Sequence, residues 1–202
     1  VDVTLLKGLT FRMTQGFTFG DNVSRSTYGR DSYTTVMANG DKTSATATST
    51  HNYSWTNQNI LSYVKEFNRN HRINATAVFE QMYSDDFIHK TEAKGGLVST
   101  IIGANNTALG DVMYASGERT KTAMMSWMGR VNYVLMDRYM LTASWRYDGS
   151  SRLDKDNRWE QFPSVALAWN AKQERFLRDV NFLSQLKLRV GYGETGNQAV
   201  EP

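Results

Sequence analysis

Three glycines, Gly191, Gly193 and Gly196, spell a G-x-G-x-x-G, the spacing that lets backbone N–H groups cradle a dinucleotide pyrophosphate. That chemistry needs a βαβ unit, a helix directly after the glycines and an acidic residue about 20 positions on. No βαβ pattern lies upstream, so the glycines read as turn residues at a strand end. The three histidines, His51, His71 and His89, stand 20 and 18 residues apart, far from the i,i+2 or i,i+4 spacing of a metal site. Asp154-Lys155-Asp156 begins like a calcium loop, but Arg158 occupies a ligand position and no glycine makes the sharp turn. Asp85-Asp86 is a faint cation candidate. The chain has no Cys, which removes thiolate nucleophiles and thiolate metal sites, and no serine sits in a G-x-S-x-G context. The residues give no sign of an enzyme, a cofactor or a metal site.

The remaining chemistry is that of surfaces. The 23 basic and 20 acidic residues of the 202 are interleaved, giving +3 overall and no basic stripe for nucleic acid. No run of about 18 apolar residues exists to make a transmembrane helix; the nearest, Gly95 to Ala104, is short and broken by Ser99 and Thr100. Val1-Asp2-Val3-Thr4 has no signal-peptide character, and the chain reads as a piece of something longer.

Period 2 dominates the strong segments. Tyr139, Leu141, Ala143, Trp145 and Tyr147 fall on one side of an extended chain, opposite Arg138, Met140, Thr142, Ser144, Arg146 and Asp148. Met125, Trp127, Gly129, Val131, Tyr133 and Leu135 oppose Ser126, Met128, Arg130 and Asn132. The same alternation places Leu9, Phe11, Met13, Phe17 and Phe19 together, then Ile73, Ala75, Ala77 and Phe79, then Val165, Leu167 and Trp169, then Leu186, Leu188, Val190 and Tyr192. The segment 53–67 is less regular, with Leu61 and Tyr63 as its surest apolar positions. The pattern predicts roughly seven strands of about 9–11 residues. Connections alternate in length: 21–52 and 84–120 are long and 149–161 is of medium length, 68–70 and 136–137 are tight turns, and 171–185 is a connector with one helical turn around Glu174 to Val180.

Two classes fit two-faced strands. A soluble all-β carbohydrate- or ligand-binding domain has no reason to gather its long loops at one end. A transmembrane antiparallel β-barrel does, and it places Tyr and Trp near strand ends, as at Tyr139, Tyr147, Trp169 and Tyr192. A barrel leaves no open edge in lipid, so this reading requires further strands beyond the roughly seven seen.

One stretch carries a family resemblance. Arg138-Tyr139-Met140-Leu141-Thr142-Ala143-Ser144-Trp145-Arg146-Tyr147-Asp148-Gly149-Ser150-Ser151-Arg152 is followed by Asn157-Arg158-Trp159, Phe162-Pro163-Ser164 through Trp169, Glu174-Arg175-Phe176-Leu177 and Leu183 to Gln198. This resembles the barrel of SusC/RagA-type, TonB-dependent outer-membrane transporters over about 124–198, while 1–123 match in rhythm only. The chain departs at Leu153-Asp154, where the family has an aromatic residue and a Gly, and at Glu160-Gln161, where a Gly precedes Phe-Pro-Ser.

The resemblance implies that 1–202 is part of the barrel domain of a TonB-dependent receptor of about 22 strands, lacking the plug, signal peptide and terminal strands. It implies TonB-energised import of a nutrient, a glycan (oligosaccharide) or a peptide. The implied partners are the TonB complex acting through the plug, a SusD-like surface lipoprotein over the long loops, and outer-membrane lipid. A barrel with only a structural or adhesive role is the alternative within the membrane class. Arg130, Asn132, Arg146, Asp148, Lys187 and Arg189 are the residues expected to face the lumen, pairing with one another or with the plug. Tyr28, Tyr33 and Tyr114, expected in long loops, are candidates to stack on sugar rings or to meet the lipoprotein. Loops 21–52, 84–120 and 149–161 are expected outside, and 68–70, 136–137 and 171–185 on the periplasmic side.

Overall fold

The computed structural model describes residues 1–29, 32, 43–68, 70–96 and 103–196. It is all-β apart from short helical turns. Eight strands follow one another in a single sheet in chain order: β1 (Asp2–Leu6), β2 (Leu9–Tyr28), β3 (Ser44–Phe67), β4 (His71–Lys94), β5 (Val112–Leu135), β6 (Tyr139–Ser150), β7 (Trp159–Asn170) and β8 (Lys187–Gly193). Neighbours run antiparallel, as sequential strands joined by turns must. Among the described residues no helix is long and apolar enough to cross a membrane.

The expected count and lengths need correction. The alternating run from Leu9 to Phe19 is preceded by a separate strand, and Gly8, with a φ of +84°, turns β1 back onto β2. A Cβ there would stand 2.2 Å from the Val64 carbonyl oxygen, so the close approach admits only glycine. More consequential are β2 at 20 residues and β3, β4 and β5 at 24 each, twice the expected length. They extend into the stretches 21–52 and 84–120 that the Ser-, Thr- and Asn-rich composition marks as loops. Apolar alternation reports which face meets an apolar medium; the backbone ladder needs no such face, and Thr-rich segments are good strand formers. The long connections therefore shrink to 29–43, 95–111 and 151–158.

The turns at 68–70 and 136–137 are where the sequence predicts them. Met136 and Asp137 both take positive φ, and Arg138 N–H donates to the Leu135 carbonyl at 3.0 Å, which makes a type I′ hairpin. In the connector, the expected helical turn is α1 (Arg175–Arg178).

The chain divides into two compact units. The first comprises Val1–Gly16, Trp55–Tyr83 and Thr122–Pro202; the second comprises Phe17–Ser54 and Ser84–Lys121. Neither has a conventional core. Among the described residues the buried apolar side chains are Ala45, Ala93 and Ala171, while more than thirty large apolar residues are exposed. In the second unit Ala45 and Ala93 pack with Ala104. Its strands are otherwise dressed with polar pairs: Arg119 donates to both oxygens of Asp85 at 2.8 and 2.7 Å, His51 pairs with Asp21, and Asn52 donates to Asp86 at 2.6 Å.

Candidate functional site

The site is a sheet face in the first unit, and the register of β5 to β8 decides which residues share it. Ser126 pairs with Asp148, Met128 with Arg146, Arg130 with Ser144 and Asn132 with Thr142 across β5–β6. Across β6–β7, Ser144 pairs with Ser164 and Met140 with Ala168; across β7–β8, Ala168 pairs with Arg189 and Asn170 with Lys187. Directly opposed residues point the same way. Arg130, Asn132, Arg146, Asp148, Lys187 and Arg189 therefore all project from one face.

That face is hydrogen-bonded locally. Arg146 Nε donates to both carboxylate oxygens of Asp148 (2.8 and 2.7 Å), and its Nη2 donates to Ser126 Oγ at 3.2 Å. The Asp148 side chain is 8% exposed and Ser126 is buried, so this cluster is the most enclosed part of the face. Thr142 donates to Asn132 Oδ1 at 2.9 Å, and the hydroxyls of Ser144 and Ser164 are 2.7 Å apart. Arg130 and Arg189 are exposed and Lys187 is half-buried. Chemically, the face can hold water, hydrogen-bond a polar solute and attract anionic groups.

The alternate residues make the opposite face. Trp127 pairs with Tyr147, Val131 with Ala143, Tyr133 with Leu141 and Leu135 with Tyr139, continuing to Val165, Leu167 and Trp169 and then Tyr192, Val190 and Leu188. Trp127 is 48% exposed and Leu167 is 52% exposed. A continuous surface of this kind in water would be an aggregation liability. From Met125 to Leu135 the band runs eleven residues of β5. At about 3.3 Å per residue and a tilt near 45° this spans roughly 25 Å, the height of the apolar band of a membrane barrel.

Aromatic residues border the band at both ends. Toward the 151–158 loop, Trp145, Tyr147 and Trp159 stack in series with centroids 5.7 and 4.9 Å apart, and Phe79 meets Trp127 at 4.2 Å. Trp159 lies over Gly149, where a Cβ would meet its ring at 2.7 Å. At the turn end, the Tyr133 hydroxyl is 2.6 Å from His71 Nδ1. There also Glu174 gathers three groups. Tyr139 OH donates to Oε1 at 2.6 Å, Trp169 Nε1 to Oε1 at 3.2 Å, and Arg138 Nη1 to Oε2 at 3.3 Å. The Tyr139 and Trp169 donors and the Arg138 charge hold the Glu174 carboxyl below its usual range.

Sequence reasoning missed Glu174. Its type signals nothing, because two of its donors lie 35 and 36 residues away in the chain. The candidates set aside have ordinary roles. Among the described residues no group of His, Asp and Glu is arranged to hold a metal ion. Asp85 and Asp86 are adjacent on β4 and so point to opposite faces, one to Arg119 and the other to Asn52. Asp154 caps the 3-10 turn Lys155–Asn157 by accepting from the Lys155 N–H. Tyr28 and Tyr114 lie within β2 and β5 rather than in loops, and Tyr33 lies outside the described residues.

Comparison with known proteins agrees with this geometry. No family model matches the chain. A TonB-dependent receptor of Bacteroides thetaiotaomicron, SusC, is 56% identical over 81 residues, 40% of this chain and 8% of that protein. The TonB-dependent receptor P26 of Formosa agariphila is 32% identical over 186 residues, 90% of this chain and 18% of that protein. The chain thus spans less than a fifth of the curated relatives it matches. Among solved structures, the RagAB peptide transporter superimposes with a TM-score of 0.84 over 98% of this chain and 22% of that one, at 22% identity. The RagAB peptide importer in its open-open state gives 0.82. These likenesses show the fold: the open sheet is part of a larger barrel.

Proposed function

We propose, proceeding from the chain's place among the SusC/RagA-type TonB-dependent receptors as a stretch of their outer-membrane barrel, that the whole protein imports a nutrient with energy delivered through TonB. We read 1–202 as barrel wall throughout, with the plug and the closing strands supplied by the rest of the protein. One observation carries the reading: the register of β5–β8 sorts every large apolar side chain of the band to one face and all six charged or amide candidates to the other. A soluble sandwich would bury the band against a second sheet. Here the band is exposed at membrane height, while the opposite face is polar enough to line water.

In this reading Arg130, Asn132, Arg146, Asp148, Lys187 and Arg189 face the lumen. The Arg146–Asp148–Ser126 cluster stiffens the wall, and Arg130, Lys187 and Arg189 face the plug or the passing solute. The cargo is a glycan or a peptide, and a SusD-like lipoprotein meets the connections 29–43, 95–111 and 151–158 on the outside. Turns 68–70 and 136–137 and the connector 171–186 then face the periplasm.

Uptake by cells carrying the full-length protein tests the reading. Labelled oligosaccharide and peptide pools are offered with and without a functional TonB. One pool should accumulate only when TonB is present, and Arg130→Glu with Arg189→Glu should lower that uptake at unchanged surface amount. Equal accumulation without TonB would make the barrel a passive channel, and accumulation of neither pool would leave a structural or adhesive barrel. Epitope tags fix the sidedness: antibody should reach a tag at Asp156 in intact cells and not one at Asn70.

A further inference from the structure

We propose that the connector between β7 and β8, residues 171–186, is a membrane-interface anchor that seats on anionic phospholipid, with Phe176 and Phe182 set among the headgroups and Arg175 and Arg178 on lipid phosphates. The proposal rests on the outer-membrane reading above and adds a lipid contact that the strands themselves do not make.

Three observations converge on it. The first is position. Glu174, the residue that opens α1, accepts from Tyr139 and Trp169, both of which belong to the apolar band at its turn end. The connector therefore leaves the sheet on the lipid side and at the depth where interfacial aromatics sit. The second is rigidity. Lys172 Nζ donates to the carbonyl oxygens of Leu177, Arg178 and Val180 at 3.1, 3.2 and 2.6 Å, so one ammonium closes the end of α1 and the turn after it. Leu177, Val180, Leu183 and Leu186 are half-buried along the connector's inner side.

The third is the chemistry of the outer side. Phe176 is 70% exposed and Phe182 is 92% exposed, on a segment already held in shape. Arg175 and Arg178 flank Phe176, with Phe182 four residues beyond Arg178, and both arginines are exposed too. The other charges are committed, Lys172 to carbonyls and Glu174 to the girdle, which leaves two guanidiniums against Asp179. Fixed aromatics beside cations, at interface depth, match a phospholipid surface: the rings gain an apolar environment and the guanidiniums gain phosphates. Water offers the rings nothing, and an acidic protein partner would leave their depth unexplained.

The absence of cysteine from this segment makes the test direct. The full-length protein, carrying Phe182→Cys as its single cysteine and labelled with a fluorophore, is reconstituted into phosphatidylethanolamine/phosphatidylglycerol vesicles. A nitroxide on the lipid headgroup should quench the label severalfold more than aqueous iodide does. Leu167→Cys, labelled the same way, is the control on the membrane reading, and it should respond to a nitroxide deep in the acyl chain. If position 167 is lipid-quenched but 182 is quenched by iodide, or by neither agent, the anchor is overturned while the barrel stands. If 167 is not lipid-quenched, the barrel reading itself fails. Replacing phosphatidylglycerol by phosphatidylcholine, or introducing Arg175→Gln with Arg178→Gln, should each reduce the lipid quenching at 182, and the two changes together should do little more than either alone. Quenching indifferent to both changes would overturn the assignment of the arginines.

Discussion

The two faces of β5–β8 are made from alternate residues of the same strands, share one backbone ladder and differ only in side chains. One face carries Trp127, Val131, Leu141, Leu167 and Val190; the other carries Arg130, Asn132, Arg146 and Arg189. The apolar face makes almost no hydrogen bonds in its middle and places its polar atoms at the ends, in the Tyr133–His71 contact and the Glu174 hub. The polar face is bonded along its length, from Asn132–Thr142 to Ser126–Arg146–Asp148. The contrast fits two faces built for two media, one apolar and one aqueous, as the proposed membrane reading requires.

The largest expected effect comes from exchanging the media by one position. Leu141→Arg should destabilise the assembled barrel by about 2–4 kcal/mol, as for an arginine facing lipid, whereas Thr142→Arg keeps its charge in water and costs far less. Urea unfolding of the full-length protein in lipid measures both, and equal costs would mean the faces are misassigned. The polar face is probed next by Asp148→Ala. It strips the partner from Arg146 in an enclosed cluster and should cost about 1–3 kcal/mol in the same unfolding measurement. A neutral result would make this cluster as dispensable as an exposed pair.

Smaller still is the response of the band's turn end to acid. Glu174 has its folded-state pKa lowered, so the stabilisation it provides is present above the unfolded value near 4.3. It should be lost as the pH falls through the lower folded value. Trp169 fluorescence should report loosening of the connector in that window, and Glu174→Gln should remove the pH dependence. The smallest effect belongs to the exposed Asp2–Arg12 pair, where Asp2→Asn should leave the unfolding midpoint nearly unchanged despite its 2.8 and 3.0 Å contacts.

Much of the wall was legible in advance, for a physical reason. A period of two in residues such as Tyr139 to Tyr147 can arise only if alternate side chains meet different environments, so strand identity, the two faces and the six polar candidates follow directly from spacing. The turns at 136–137 and 68–70 were equally plain, because each is a break of two or three residues between two alternating runs, although Met136 takes positive φ without being a residue type that favours it. The lengths of β2 to β5 were not legible. Beyond Phe19 and Tyr83 the alternation fades while the strand continues, since a hydrogen-bond ladder carries no signature in side-chain polarity.

The sequence by itself determined which residues share a face and what medium each face requires, because alternation is a local property of the chain. Only the tertiary structure decided how far the strands run, that Asp85 meets Arg119 and Asp86 meets Asn52, and that Glu174 joins Arg138, Tyr139 and Trp169. Those outcomes depend on which strand lies beside which and in what register, and register is a relation between distant segments that no single stretch of residues contains.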